Sequence, residues 1–160
     1  MSFVALPDAP ATVQPPAPEA AIVNDGFFPD IEPGAVREAA RIPSSITPAR
    51  LRAAILGALL TLKGDLRAYK ARQVAAGYAR LDDVPADELD GQSELLITYH
   101  RAVALYTKAE LIERHRDFDT TSAGGNQADE LTPSIGDLRR DALHAVRDIL
   151  GKARTTVDLI

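Results

Sequence analysis

Apolar residues recur at spacings of three and four in three separate stretches of the chain, the periodicity of amphipathic helices. In the first, Leu51, Ile55, Ala58, Leu59, Leu62, Leu66 and Tyr69 form one stripe. Thr47 is placed to cap this helix, Pro48 suits its first turn, and Gly77 reads as the residue just past its end. The pattern predicts one rod of roughly 29 residues, about 44 Å long. Gly57 and Gly64 lie seven apart on nearly the same face. Each weakens a helix by about 1 kcal/mol relative to Ala. Either they let another helix approach closely or they are merely tolerated.

A second helix is predicted over 93–116, with Leu96, Tyr99, Val103, Tyr106, Ala109, Leu111 and Ile112 on its apolar side. Glu94 falls in its first turn and Arg114, His115 and Arg116 in its last, as the helix dipole favours. A third begins with Thr132 and Pro133, carries Ile135, Leu138, Ala142, Val146 and Ile149, and stops at Gly151. Between the helices, 80–91 reads as a solvated acidic loop holding Asp82, Asp83, Asp87, Glu88 and Asp90. It lacks the ligand alternation and distal Glu of a calcium loop. The segment 117–131, with Gly124, Gly125 and Asn126, reads as a flexible connection, and without a Lys it is no phosphate cradle.

The two ends break the pattern. Seven of the eleven prolines fall in residues 1–35, with five acids and no Lys or Arg. Proline lacks an N–H and fixes φ, so this arm is expected to be extended and unable to build a core of its own. Near its end stands "GFFPDI", with half of the chain's four Phe. A short helical turn is predicted at 34–41, ended by Pro43. After Gly151 the chain closes on a β-prone tail with Val157, Leu159 and Ile160, which frays, folds back or pairs with a partner's edge. The fold expected is therefore all-α. A three-helix core with two long helices fills 47–150. An extended Pro-rich N-terminal arm spans 1–46, and a short C-terminal tail spans 151–160.

Aromatics make up only 5% and Trp is absent, so the core rests on Leu, Ile, Val and Ala, which favours helices over sheets. A net charge of −5 is the reverse of a free-standing DNA binder's balance. With no cysteine, disulfides, thiolate metal sites and cysteine nucleophiles are excluded. No run approaches the ~18 apolar residues needed to span a bilayer, and the N-terminus has no basic region followed by an apolar core, so neither a membrane partner nor a secretory signal is expected. His100, His115 and His144 have no metal-ligand spacing, and there is no GxSxG elbow. Carboxylate pairs such as Glu110 and Glu113 read as surface ion pairs. No catalytic residue, cofactor or metal is expected, and the outline is that of a subunit whose ends belong to its neighbours.

The stretches "FFPDIEPGAVREAAR", "TPARLRAAI", "AAGYARLDDVPADELDG", "YHRAVALYTKAELIERHRDFD", "ADELTPSIGDLRRDALHAVRDI" and "GKARTTVDLI" stand in this order along the chain. In that set and order the chain resembles the head completion protein family of P2-like tailed bacteriophages, the gpL family. The resemblance covers nearly everything after about residue 26. It implies a structural protein of the virion neck, made in the host cytoplasm. Such a head–tail connector joins the portal vertex after DNA packaging, stabilises the filled head and prepares it for the tail. The partners implied are the portal protein, neighbouring copies in a homo-oligomeric ring of twelve, and the next neck or tail-terminator protein. Packaged DNA passes nearby without specific binding, and 82–90 and 117–131 are candidates for facing it.

Phe27, Phe28, Ile31, Val157, Leu159 and Ile160 are the residues expected to dock on the portal or on neighbouring copies. Burying a Phe fully yields about 1.5–3 kcal/mol, enough to anchor an arm when repeated around a ring. The rival is that both Phe fold back onto the chain's own helices, in which case their removal would shift the melting of the isolated monomer. A reading from another class is a small helical DNA-binding or regulatory protein using Arg37, Arg41, Arg50 and Arg52. Salt-dependent affinity for duplex DNA would favour it.

Overall fold

Proline opens the first two helices, because its missing N–H costs nothing there and its φ is already helical. Helix α1 spans Pro33–Ala39, and α2 spans Pro48–Asp65 after an extended Thr47 whose hydroxyl accepts the Arg50 N–H. Three more helices follow: α3 (Arg67–Ala75), α4 (Glu94–Arg116) and α5 (Ile135–Ile149). The computed structural model describes residues 19–116 and 134–153. Within them the mainly helical class expected from the pattern holds, with one small β-hairpin added.

The single rod expected over 48–76 is two helices. Leu66 leaves helical geometry at φ −97 and ψ 2, while its N–H still bonds the Leu62 carbonyl at 2.9 Å. The break falls two residues after Gly64, where helical geometry is cheapest to abandon. Leu66 is itself fully buried, and α3 sets off with Tyr69 facing the core. Gly77, at φ 99, ends α3, and the Tyr78 N–H bonds back to the Gln73 carbonyl at 3.1 Å.

The acidic loop expected at 80–91 is also more ordered than its composition implies. A 3₁₀ turn, Leu81–Asp83, leads into strands β1 (Glu88–Leu89) and β2 (Gln92–Ser93), paired antiparallel with Leu89 opposite Gln92. Asp90 and Gly91 have φ of 51 and 70, the left-handed pair that a tight two-residue hairpin requires. The start of α5 shifts as well. Its cap is Ser134 in a capping box with Asp137, rather than Thr132, which with Pro133 lies outside the described residues. Gly151, at φ 64, ends α5 as expected.

Helix α4 is the central element: α2 and α5 pack along it, and α1 lies across a further side. Tyr99, Ala102, Val103 and Ala109 of α4 are buried, together with Leu51, Ala54, Ile55, Ala58 and Leu62 of α2 and Leu138, Ala142, Val146 and Ile149 of α5. The stripes read from the sequence are thus the packed faces. The boundary drawn at residue 46 is not a boundary in packing. Ile22, Phe27, Phe28, Ile31, Val36, Ile42 and Ile46 belong to the same buried cluster as the long helices. Of the β-prone tail, 154–160 lies outside the described residues, as do 1–18 of the arm.

Candidate functional site

Asn24 and Asp25 make the turn that aims the two phenylalanines. Asp25 Oδ1 accepts the Phe27 and Phe28 N–H groups, each at 3.2 Å, so a short side chain replaces missing backbone partners. Gly26, between Asp25 and Phe27, sits at φ 84, which only glycine adopts freely. The Asn24 side-chain amide donates to the Pro29 carbonyl and to the Tyr99 hydroxyl, both at 3.0 Å. Ile22 and Ile31 close the strap with reciprocal backbone bonds of 2.8 and 2.9 Å.

The strap is fastened to the helices by charge as well. Asp25 Oδ2 lies 2.8 Å from Lys70 Nζ and 4.0 Å from Lys63 Nζ. At 2.8 Å the Lys70 ammonium is within the distance of a charge-assisted hydrogen bond to this carboxylate. Burial disfavours the charged carboxylate, but the Lys70 contact and the Phe28 and Phe27 amides outweigh it and hold its pKa below the usual value. Lys70 Nζ also stands 5.8 Å from the centre of the Phe27 ring. Arg52 donates to the Ala20 carbonyl at 2.9 Å, and Arg37 to the Pro43 and Ile46 carbonyls at 2.9 and 3.1 Å, with Glu19 beside it.

These contacts correct one expectation. Phe27, Phe28 and Ile31 are only 3%, 4% and 0% exposed, so their socket is the chain's own helices and they are not free to dock elsewhere. The physical reason is that Phe28 stacks on Tyr99 and the strap's apolar side chains belong to the same buried cluster as Leu66 and Tyr69. Of the four arginines named for a DNA-binding reading, Arg37 donates to the Pro43 and Ile46 carbonyls of the α1–α2 connection and Arg52 to the Ala20 carbonyl. Val157, Leu159 and Ile160, the rest of the proposed docking set, lie outside the described residues, as does 117–131.

Other surfaces are left open instead. Helix α2 presents Ala53, Leu56, Leu60 and Gly64 at spacings of three and four, all exposed; Leu60 is 73% exposed. Leu60 and the fully buried Leu51 are nine residues apart, two and a half helical turns, so this ridge points away from the core. A mainly apolar groove of about 670 Å³ runs between α1 and α4, with Ala35, Ala39, Ile97, Ala104 and Leu105 among its walls. Asp30 and Glu32 stand at it, as do Arg41, Arg101 and Lys108. The hairpin forms a third surface, where Asp82, Asp83, Asp87, Glu88 and Asp90 are all exposed around an exposed Leu89.

The sequence pattern singled out neither ridge nor groove. Leu56 and Leu60 were visible as leucines off the stripe, whereas the groove arises from how α1 crosses α4. Among the described residues, no three His, Asp or Glu side chains are grouped to hold a metal ion, and no helix is long and apolar enough to cross a membrane.

Residues 22–160 match the family described as phage head completion protein (GPL), and the chain belongs to that family. It is also 42% identical over 147 residues to the head completion/stabilization protein of Escherichia phage P2, a match covering 92% of this chain and 87% of that protein. No solved structure matches the chain. The family match begins at Ile22, the residue whose bridge to Ile31 opens the buried strap.

Proposed function

We propose that this protein is a head–tail connector subunit of the virion neck, structural rather than catalytic. It binds the portal vertex after DNA packaging, stabilises the filled head and prepares it for tail joining. The observation that carries this reading is the likeness to a head completion/stabilization protein along nearly the whole of both chains. The fold supports it: the strap and helices form one closed core, while an apolar ridge and groove remain uncovered, as suits a subunit that finishes its surface against other chains.

In this reading the chain assembles as a homo-oligomeric ring of twelve copies, and Val157, Leu159 and Ile160 dock on the portal or on a neighbouring copy. The next neck or tail-terminator protein binds the far side. Net charge and the acidic hairpin fit a wall past which DNA moves without sticking, since repulsion from phosphates opposes adsorption.

The test is complementation of a phage lacking this gene. Without the protein, filled heads should lose DNA and fail to accept tails, and the full-length chain supplied in trans should restore both. Heads that keep their DNA and take tails without it would overturn the proposal.

A further inference from the structure

Helices α2 and α3 turn one long face outward. Backbone bonds carry its phase across the break, for the Leu66 N–H reaches the Leu62 carbonyl and the Lys70 N–H the Leu66 carbonyl, each at 2.9 Å. Leu56, Leu60, Gly64, Arg67, Ala71 and Val74 follow one another at spacings of three and four, and all six are exposed. At roughly 1.5 Å per residue this crest is about 27 Å long. Leu60 is 73% and Val74 50% exposed, whereas Leu51, Leu62 and Leu66 on the opposite side are fully buried.

The flanks of the crest are cationic. Helices α2 and α3 hold six Lys and Arg against one acid, in a chain whose net charge is −5. That acid, Asp65, lies on the α5 side, where it lines a hollow with Leu143, Val146 and Leu150. Arg52 and Lys70 hold the strap. The Lys63 side chain is 60% exposed. The Arg50, Arg67 and Arg72 side chains form no ion pair or hydrogen bond among the described residues.

An apolar crest between cationic flanks discriminates among anionic partners. Duplex DNA would set phosphates against Leu56, Leu60 and Val74, which offer it nothing, since phosphates are bound by Lys, Arg and polar groups. An acidic amphipathic helix matches both parts. Its apolar side covers the crest, and its carboxylates meet Lys63, Arg67 and Arg72. Leu56, Leu60 and Gly64 are spaced by four, the row that packs into the groove of another helix. The acidic hairpin of a second copy is a poor match, because Leu89 is its one large exposed apolar residue and its strands are two residues each.

We infer that the outward face of α2 and α3 is a docking surface for an acidic amphipathic helix of a different protein. Burial of the crest supplies affinity, and the cations steer the approach and fix the orientation. The inference needs no ring of copies. It rests on the virion reading only for where the partner is sought.

Purified full-length protein is first titrated with a labelled helical peptide of roughly 20 residues, built of Glu and Ala with leucines at spacings of three and four. The peptide should bind, and more weakly as salt rises. Leu60→Ser, and separately Lys63→Glu with Arg67→Glu, should each weaken binding by roughly tenfold or more. Melting of these variants should match the parent, because all three positions are exposed. No binding, binding that survives either change, or equal binding of a leucine-free peptide would overturn the inference. Displacement of the peptide by short duplex DNA or by anionic phospholipid vesicles would overturn it as well.

The partner is then sought in filled heads of the complemented phage, with p-benzoylphenylalanine in place of Leu60. Irradiation should join this chain to an acidic, leucine-bearing peptide of a different protein, identified by mass spectrometry. An adduct with DNA, an adduct with a second copy, or no adduct would overturn the inference. Heads that lack this protein altogether would instead remove the virion reading, and the peptide titration would then decide the surface by itself.

Discussion

The Phe28 ring lies flat on the Tyr99 ring, with centroids 4.8 Å apart and planes 6° from parallel, although 71 residues separate them in sequence. Phe27 stands perpendicular to Phe28, with ring centroids 5.0 Å apart. Replacing Phe28 by Ala therefore opens a hole in the core of the monomer. The expected loss is about 3–5 kcal/mol, typical of a buried Phe. For a chain of this size that lowers the melting temperature by roughly 10 °C. Circular dichroism of the isolated protein checks it. An unchanged melt would mean that Phe28 is not packed as described.

Asp25 makes stability depend on pH on the acid side. Desolvation opposes its charge, yet Lys70 and the Phe28 and Phe27 amides bring its pKa below 3.8 in the folded chain. The unfolded chain therefore takes up the proton first. The contribution is fully present above the unfolded value and is lost as pH falls from there through the folded value. Asp25→Asn should be less stable than the parent at neutral pH, and the gap should narrow as pH drops below about 4. Urea midpoints measured at a series of pH values test this, and a constant gap would contradict it.

Tyr99 sets the alkaline limit. Burial, aided by the Asp25 charge and opposed by the Asn24 hydrogen bond, pushes its pKa up to about 12. The raised value means that the folded state favours the neutral phenol. This contribution is complete below pH 10 and is lost as pH rises from 10 toward 12. Tyr99→Phe gives up the Asn24 bond, a cost of about 1 kcal/mol at neutral pH. Its stability should then fall less steeply than the parent's above pH 10. Parallel slopes in chemical denaturation would rule this out.

Thr107 is fully buried on α4, and its hydroxyl has no hydrogen-bond partner among the described residues. Thr107→Val keeps the branched shape and removes the unsatisfied group, so it should stabilise the protein by about 1 kcal/mol. A rise of a few degrees in melting temperature is the expected readout, and a fall would show that the hydroxyl is satisfied in solution.

Arg41 ends α1 at φ 51, a left-handed position where glycine is the usual residue. The Arg41 and Ile42 N–H groups bond the Glu38 and Arg37 carbonyls at 3.1 and 2.9 Å, so the cap itself is well formed. Arg41→Gly should add about 0.5–1 kcal/mol by removing side-chain strain, and Arg41→Val should cost stability instead. The two variants moving in the same direction would refute the explanation.

Much of the helical architecture was legible because it is local. The stripe from Leu51 to Tyr69, the Thr47 cap with Pro48, and the stops at Gly77 and Gly151 each depend on residues within a few turns. The Asp90–Gly91 hairpin was legible in principle from its turn residues, but strands of two residues leave no alternating pattern to support it. The break at Leu66 was not legible. Its apolar side chain continues the stripe, and only the docking of α3 on the strap decides that the axis should turn.

The candidate surfaces were less legible still. The fragment "GFFPDI" is apolar, short and set among prolines, so its sequence establishes that it must be covered by something. What covers it depends on distance in space, which residue spacing does not encode. Tertiary structure decides that Tyr99 and Lys70 of this chain do so, and that Leu56 and Leu60 are left uncovered instead. The sequence by itself determined the helical class, the packed faces and the family likeness, because periodicity and motif order are carried along the chain. The choice of partner for each apolar face belongs to the fold, because burial is settled by whichever surfaces meet once the helices have packed.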